Sequence, residues 1–370
     1  VPADEASAAF LAGTRQILTG AQLGSAILSS PTDLWTMRMA ARSIGMNGRS
    51  VWARHSKLLT SAATRETAAQ MGYVADTLAD AGSASARYLG DVWSPEITSR
   101  ITNGVLRASG LSFWTDCARQ AWQMEFSGFL ASQAGQAFAD LPRALRALFS
   151  ARGITAADWD KLRDPSSLFT APNGSKFLSP LIFAQTSRLP KSEAEGLSVR
   201  LGAVIEQEME FAVPSVSIEG RTGWLGDAKP GTFSGELLRS GLMYKSFALS
   251  VTLNLIRRAM AQRNLTSRAV FVASMIAGLT VLGSVSVQLK EMAKGRDPRP
   301  MNDPAFWGAA FLQGGGLGIF GDFLTSEVNR MGGGWAETLT GPVVGLGADV
   351  ARAVTSTSAR SIWSASPSSA

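Results

Sequence analysis

Apolar residues run without a charge from Ala269 to Leu289, AVFVASMIAGLTVLGSVSVQL, with Arg268 closing one end and Lys290 the other. A helix of that length spans about 31 Å, the thickness of a bilayer's hydrocarbon core. Basic flanks suit such a helix, because their aliphatic stems lie along apolar surface while the charged heads reach lipid headgroups. A second uncharged run extends from Pro304 to Gly321, after the polar connector KEMAKGRDPRPMND. Together the two runs predict a hydrophobic helical hairpin near the C-terminus.

Upstream, the period of apolar positions is helical. Phe10, Leu11, Thr14, Ile17, Leu18, Ala21, Ser25 and Leu28 fall on one stripe, and Ser30-Pro31-Thr32-Asp33 ends it, with Pro31 placed to open the next helix. That helix carries Leu34, Trp35, Met37, Met39 and Ala41, and a turn follows at Gly45 to Gly48. An alanine-rich helix is predicted from about Val51 to Asp80. Another starts at Ser94-Pro95-Glu96, with Ile97, Ile101, Val105, Trp114, Ala118, Ala121 and Trp122 on one side. Turn signals at Asp164-Pro165, Pro172-Asn173-Gly174 and Ser179-Pro180 break up the next stretch, where one helix is predicted over Lys191 to Phe211. Any strand is expected at about 211–233. Helix resumes from Ser234, glycine is dense after Asn302, and the end is a mobile, serine-rich tail. The expected fold class is all-α: an elongated multi-helix assembly with helical residues 1–150, a mixed connector 151–233, a basic helix plus hairpin and glycine-rich segment 234–350, and the tail 351–370.

Composition sharpens this picture. Only 17% of the 370 residues are charged against 45% hydrophobic, which implies a surface covered by partners or lipid. The net charge of +6 favours contact with nucleic acid or anionic lipid. The charge is unevenly spread: residues 237–290 hold seven basic groups and no acid. Arg257, Arg258, Arg263 and Arg268 are therefore the candidate contacts for DNA or lipid phosphate. The competing reading is a solvated helix end, or pairing with acids such as Asp322 and Glu327. Phe271, Ile276, Leu279, Leu282, Trp307 and Phe311 are the candidate membrane-inserting side chains. Trp307 and Trp335 fit an interfacial aromatic belt or core packing equally well. Gly314 with Gly318, and Gly341 with Gly345, have the four-residue spacing that lets helices approach closely.

The catalytic inventory is thin. A single cysteine, Cys117, excludes an intrachain disulfide and multi-cysteine metal sites, and a single histidine, His55, excludes paired-histidine zinc motifs. Cys117 reads as a small buried helix residue. Gly316 to Gly321 matches G-x-G-x-x-G but lacks the strand–helix context of a dinucleotide site. Glu206 and Glu210 share a helix face, a pairing that can run glycan hydrolysis, but two glutamates on one exposed helix turn usually just solvate it. No catalytic, cofactor-binding or metal-binding residue is predicted. The chain opens on Val1 and reads as a processed product or part of something longer.

Three stretches, KPGTFSGELLRSGLMYKSFALS (229–250), KGRDPRPMNDPAFWGAAFLQGGGLGIFGDFL (294–324) and NRMGGGWAETLTGPVVG (329–345), resemble the C-terminal part of the large internal virion proteins of short-tailed phages. GITAADWDKLRDP (153–165) resembles a weaker part of that pattern. The resemblance implies an ejection protein, stored in the capsid near the portal and expelled to help form a conduit across the host periplasm and inner membrane. It implies a homo-oligomer in contact with other internal virion proteins, the portal, double-stranded DNA without sequence preference, and the host inner membrane. Any lytic activity would lie outside this segment. The alternatives are a purely structural core or scaffold subunit, and a peptidoglycan-degrading glycan hydrolase.

Overall fold

The computed structural model describes residues 9–17, 26–73, 96–215, 232–241 and 245–314. Among them, 76% are helical. Helix α1 covers 9–17, and a 3-10 turn, Ala26–Thr32, leads into α2 (Asp33–Ser43). Pro31 lies inside that 3-10 turn, so it precedes the helix it was expected to open.

The alanine-rich segment is two helices where one was expected, α3 (Gly48–Thr60) and α4 (Ala62–Gln70). The break is at Ser61, which is extended (φ −118°, ψ 114°) and whose hydroxyl accepts from the Thr64 N–H. A serine at that position caps a helix better than it continues one. The next segment also divides, into α5 (Glu96–Ala108) and α6 (Leu111–Ser132), because Gly110 takes φ +81°. The division rotates the expected common face apart. Ala118, Ala121 and Trp122 are fully buried, whereas Ile101 and Val105 are exposed.

Helices α7 (Arg143–Ala151) and α8 (Ala156–Leu162) follow, the latter with a reciprocal capping box between Thr155 and Asp158. The sheet found among the described residues lies earlier than expected. Strands β1 (Phe169–Thr170) and β2 (Lys176–Phe177) pair antiparallel, with Phe169 opposite Phe177. The intervening Asn173-Gly174 makes the turn, with Gly174 at φ +82°. Residues 216–231, where a strand was expected, lie outside the described residues.

Helices α9 (Pro180–Thr186), α10 (Lys191–Ala212), α11 (Phe233–Gly241), α12 (Lys245–Met260), α13 (Leu265–Ala293) and α14 (Pro304–Gln313) follow among the described residues. Helix α6 is central: fourteen of its residues are buried, including Trp122, Met124, Phe126 and Leu130. Around it one apolar cluster joins Met37 of α2, Val51 and Leu58 of α3, Phe149 of α7, Trp159 of α8 and Leu201 and Ile205 of α10. The same cluster takes in Phe271, Met275 and Leu279 of α13. The apolar helix is thus part of the core along one side. A buried ion pair between Arg15 and Glu236, at 2.8 Å, fixes α1 against α11.

Candidate functional site

Helix α13 has surface of two kinds. Its most apolar window has a mean hydropathy of 2.1, and 44% of that window is buried. Phe271, Met275, Gly278 and Leu279 face the body. Gly278 lies directly under Trp35, where a Cβ would fall inside the indole, and Trp35 Nε1 donates to the Ser274 carbonyl at 3.0 Å. Leu265, Val270, Val272, Ile276, Val281 and Val285 are exposed, spread around the rest of the helix's circumference rather than along a single stripe. The candidate inserting side chains therefore separate: Phe271 and Leu279 are buried in the body, Leu282 and Phe311 are half-buried, and Ile276 and Trp307 are exposed.

Helix α14 lies against the C-terminal half of α13 through small residues. A Cβ on Gly283 would overlap the Ala310 carbonyl, and one on Gly314 would overlap the Leu279 carbonyl. Gly314, predicted for close packing on its spacing, sits in this contact. Gly318, Gly341 and Gly345 lie outside the described residues, as do Trp335, the Gly316–Gly321 motif and the acids Asp322 and Glu327. The connector between the two helices is stapled to α13. The Gln288 amide donates to the Arg299 carbonyl and accepts from the Arg299 N–H, both at 2.8 Å. Lys290 donates to Gln313 Oε1 at 3.0 Å, and Gln313 in turn donates to Ser29 Oγ at 3.0 Å.

The four candidate arginines have different surroundings. Arg258 is committed to the fold: it donates to the Glu208 carboxylate and lies 4.5 Å from the Phe211 ring centre. Glu208 is fully buried, and its acid reaches the acid-free stretch from α10, which sequence position could not show. Burial outweighs the arginine's attraction and holds the Glu208 carboxyl above its ordinary range. Arg268 donates to the Met260 carbonyl at 3.2 Å and is half-buried. Arg257 and Arg263 are exposed, beside the exposed Ile256, Met260 and Leu265. The arrangement is an apolar helical surface with basic groups at its N-terminal edge.

A second feature lies between α6 and α10. There a cavity of about 330 Å³ is walled by Asp116, Arg119, Gln120 and Gln123 from α6 and by Gly202, Ile205, Glu206 and Met209 from α10. Met71, Gly72, Tyr73, Pro180 and Leu181 close it. Gln123 donates to Glu206 Oε1 at 2.7 Å, and Gln120 donates to the Tyr73 carbonyl at 3.1 Å. Desolvation raises the Glu206 pKa, against the pull of Gln123 and Arg119. Glu206 is exposed at the rim, so it stays in exchange with solvent. Glu206, Glu208 and Glu210 thus have separate surroundings: Glu206 at the cavity, Glu208 in the buried ion pair, and Glu210 exposed, with its charge acting on Arg119.

His55 and Cys117 are core residues. His55 stands edge-on to Trp114 at 4.4 Å, and burial lowers its pKa. Burial pushes the Cys117 thiol up to about 11, so it is protonated and inert at neutral pH.

No family model, no curated protein and no solved structure matches this chain.

Proposed function

We propose that this chain is an internal virion protein of a short-tailed phage, expelled from the capsid to help carry the genome across the host envelope, with α13 and α14 as its membrane-active element. In this reading it is an assembly protein without enzymatic activity. The observation that carries the reading is the uncovered surface of α13: an uncharged run of bilayer length with apolar side chains open to solvent along it and exposed arginines at its N-terminal side. Apolar surface of this kind is seldom left on a free monomer, and the basic border favours an anionic bilayer as its cover. Membrane entry would then begin on the exposed surface. Full insertion would require α13 to leave Trp35 and the core side chains it now touches. Arg257, Arg263 and Arg268 would also meet DNA phosphate as the genome passes.

The structural alternative keeps a specific support of its own. Because Phe271, Met275 and Leu279 share the body's core, the exposed surface could equally be covered by a sister chain in a capsid-core or scaffold assembly. The experiment is co-flotation of the full chain with anionic liposomes. Ile276 is exposed, so Ile276→Arg leaves the core intact while placing a charge where lipid would sit. The wild type should float and Ile276→Arg should bind at least tenfold less, given an opposing insertion term of about 2.5–3.5 kcal/mol. Equal flotation of both, or flotation of neither, removes the membrane role. An oligomer that Ile276→Arg dissociates, with no lipid binding by either protein, establishes the structural alternative.

The basic border makes a separate expectation. Arg257→Gln with Arg263→Gln should weaken liposome binding severalfold at low salt, with the difference shrinking as salt rises past about 0.15 M. Sedimentation with liposomes across a salt series reads it, and a salt-independent loss would point to a structural effect instead.

A further inference from the structure

The cavity between α6 and α10 takes no part in the reading above. Positions i, i+4 and i+7 of a packed helix share one face. On α6 these are Asp116, Gln120 and Gln123, which are 7%, 6% and 9% exposed. The central helix of a core is thus polar along this stripe, while Ala118, Ala121 and Trp122 beside it are apolar and fully buried. Buried polar groups oppose folding unless they are bonded, and a stripe of them at a cavity marks a place where packing has been given up for something else.

The hydrogen-bond inventory shows what is left over. Gln120 uses one amide N–H on the Tyr73 carbonyl, and Gln123 uses one on Glu206. Each side chain retains a carbonyl oxygen and a second N–H. Both side chains line the cavity. Arg119 lines the same space. Aliphatic surface from Met71, Leu181, Ile205 and Met209 makes up the rest of the wall.

This combination selects a ligand class. An anion would meet the Asp116 and Glu206 carboxylates, and a cation would meet Arg119. A neutral molecule with hydroxyls round its edge and C–H groups on its faces satisfies both the planar polar groups and the aliphatic walls. At about 330 Å³ the space is at the small end of ligand pockets, which run from roughly 300 to 1,000 Å³. We propose that this cavity binds one hydroxyl-rich ring of the pyranose class, held at its edge by Asp116, Arg119, Gln120, Gln123 and Glu206. The ring could be a free monosaccharide or the end of a glycan chain.

Thermal unfolding and ligand-observed NMR on the full chain test this with 10 mM glucose, N-acetylglucosamine, chitotriose or glycerol. For a Kd of about 1 mM, a bound ring should raise Tm by roughly 2 °C. A shift with the monosaccharides identifies a free ring as the ligand, and one confined to chitotriose identifies the end of a chain. Gln120→Leu with Gln123→Leu should lower affinity at least tenfold. Gly202→Leu is the second variant: its Cβ would have only Pro180 Cβ near it, at 4.0 Å, so it fills the space without removing a polar partner. It should abolish binding in a protein that remains folded. No shift with any ring, the same shift with glycerol, or an unchanged shift in Gly202→Leu would show a water-filled cavity and overturn the proposal.

Discussion

Arg258→Met should destabilise the chain by about 3–5 kcal/mol, and Glu208→Met added to it should restore most of the loss. The reason is the burial of Glu208, whose side chain is fully enclosed while Arg258 is 17% exposed. Removing the arginine strands a carboxylate in the core or forces it to take up a proton. Removing both charges leaves two aliphatic side chains of similar length in an apolar setting beside Phe211. Urea unfolding of the three variants measures the cycle, and a double variant no more stable than Arg258→Met would show that the pair has a role beyond mutual compensation.

The same carboxyl sets a pH dependence. Its pKa is raised in the fold, so the folded state binds its proton more tightly than the unfolded chain does. The associated stability is full below the unfolded carboxylate value of about 4.3, and it is lost as pH rises through the raised value. Glu208→Gln should flatten that part of the stability profile, and an unchanged profile would assign the dependence to another group.

The second large effect belongs to the α13–α14 contact. Gly283→Ala should cost about 1–3 kcal/mol, because the added methyl would meet the Ala310 backbone carbonyl, which cannot rotate away. Gly104→Ala in α5 should do the reverse. Nothing lies within 4 Å of its Cβ position, so the substitution should gain about 0.5–1 kcal/mol from helix propensity alone. Hydrogen exchange across 304–313 locates the first effect: α14 should lose protection in Gly283→Ala and keep it in Gly104→Ala. A similar gain at both sites would mean that propensity, not backbone approach, governs both.

Much of the fold was legible because its signals are local. The period of apolar residues gave the helices, and α10 and the start of α14 fall close to where the pattern put them. Local chemistry was also present where the reading missed it. Ser61 carries the capping hydroxyl that ends one helix and starts another, and Gly110 carries the left-handed turn. Propensity summed over a window hides such single-residue breaks. The short hairpin at Phe169 to Phe177 was marked by its Asn173-Gly174 turn, yet two-residue strands leave no alternation to read.

Sequence by itself determined that this is a helical chain with one uncharged helix of bilayer length and basic flanks, because composition and period need no partner to be read. Only tertiary structure decided which charges and faces remain available. Arg258 looked like an uncompensated cation until α10 brought Glu208 to it from fifty positions away. Glu206, two residues from that pair, faces a cavity instead, since alternate positions of a helix point to different neighbours. An apolar helix carries no mark of which side the body will cover. On α13 the covered sides are chosen by Trp35 resting on Gly278 and by α14 resting on Gly283, and what they leave uncovered is the surface on which the proposed function turns.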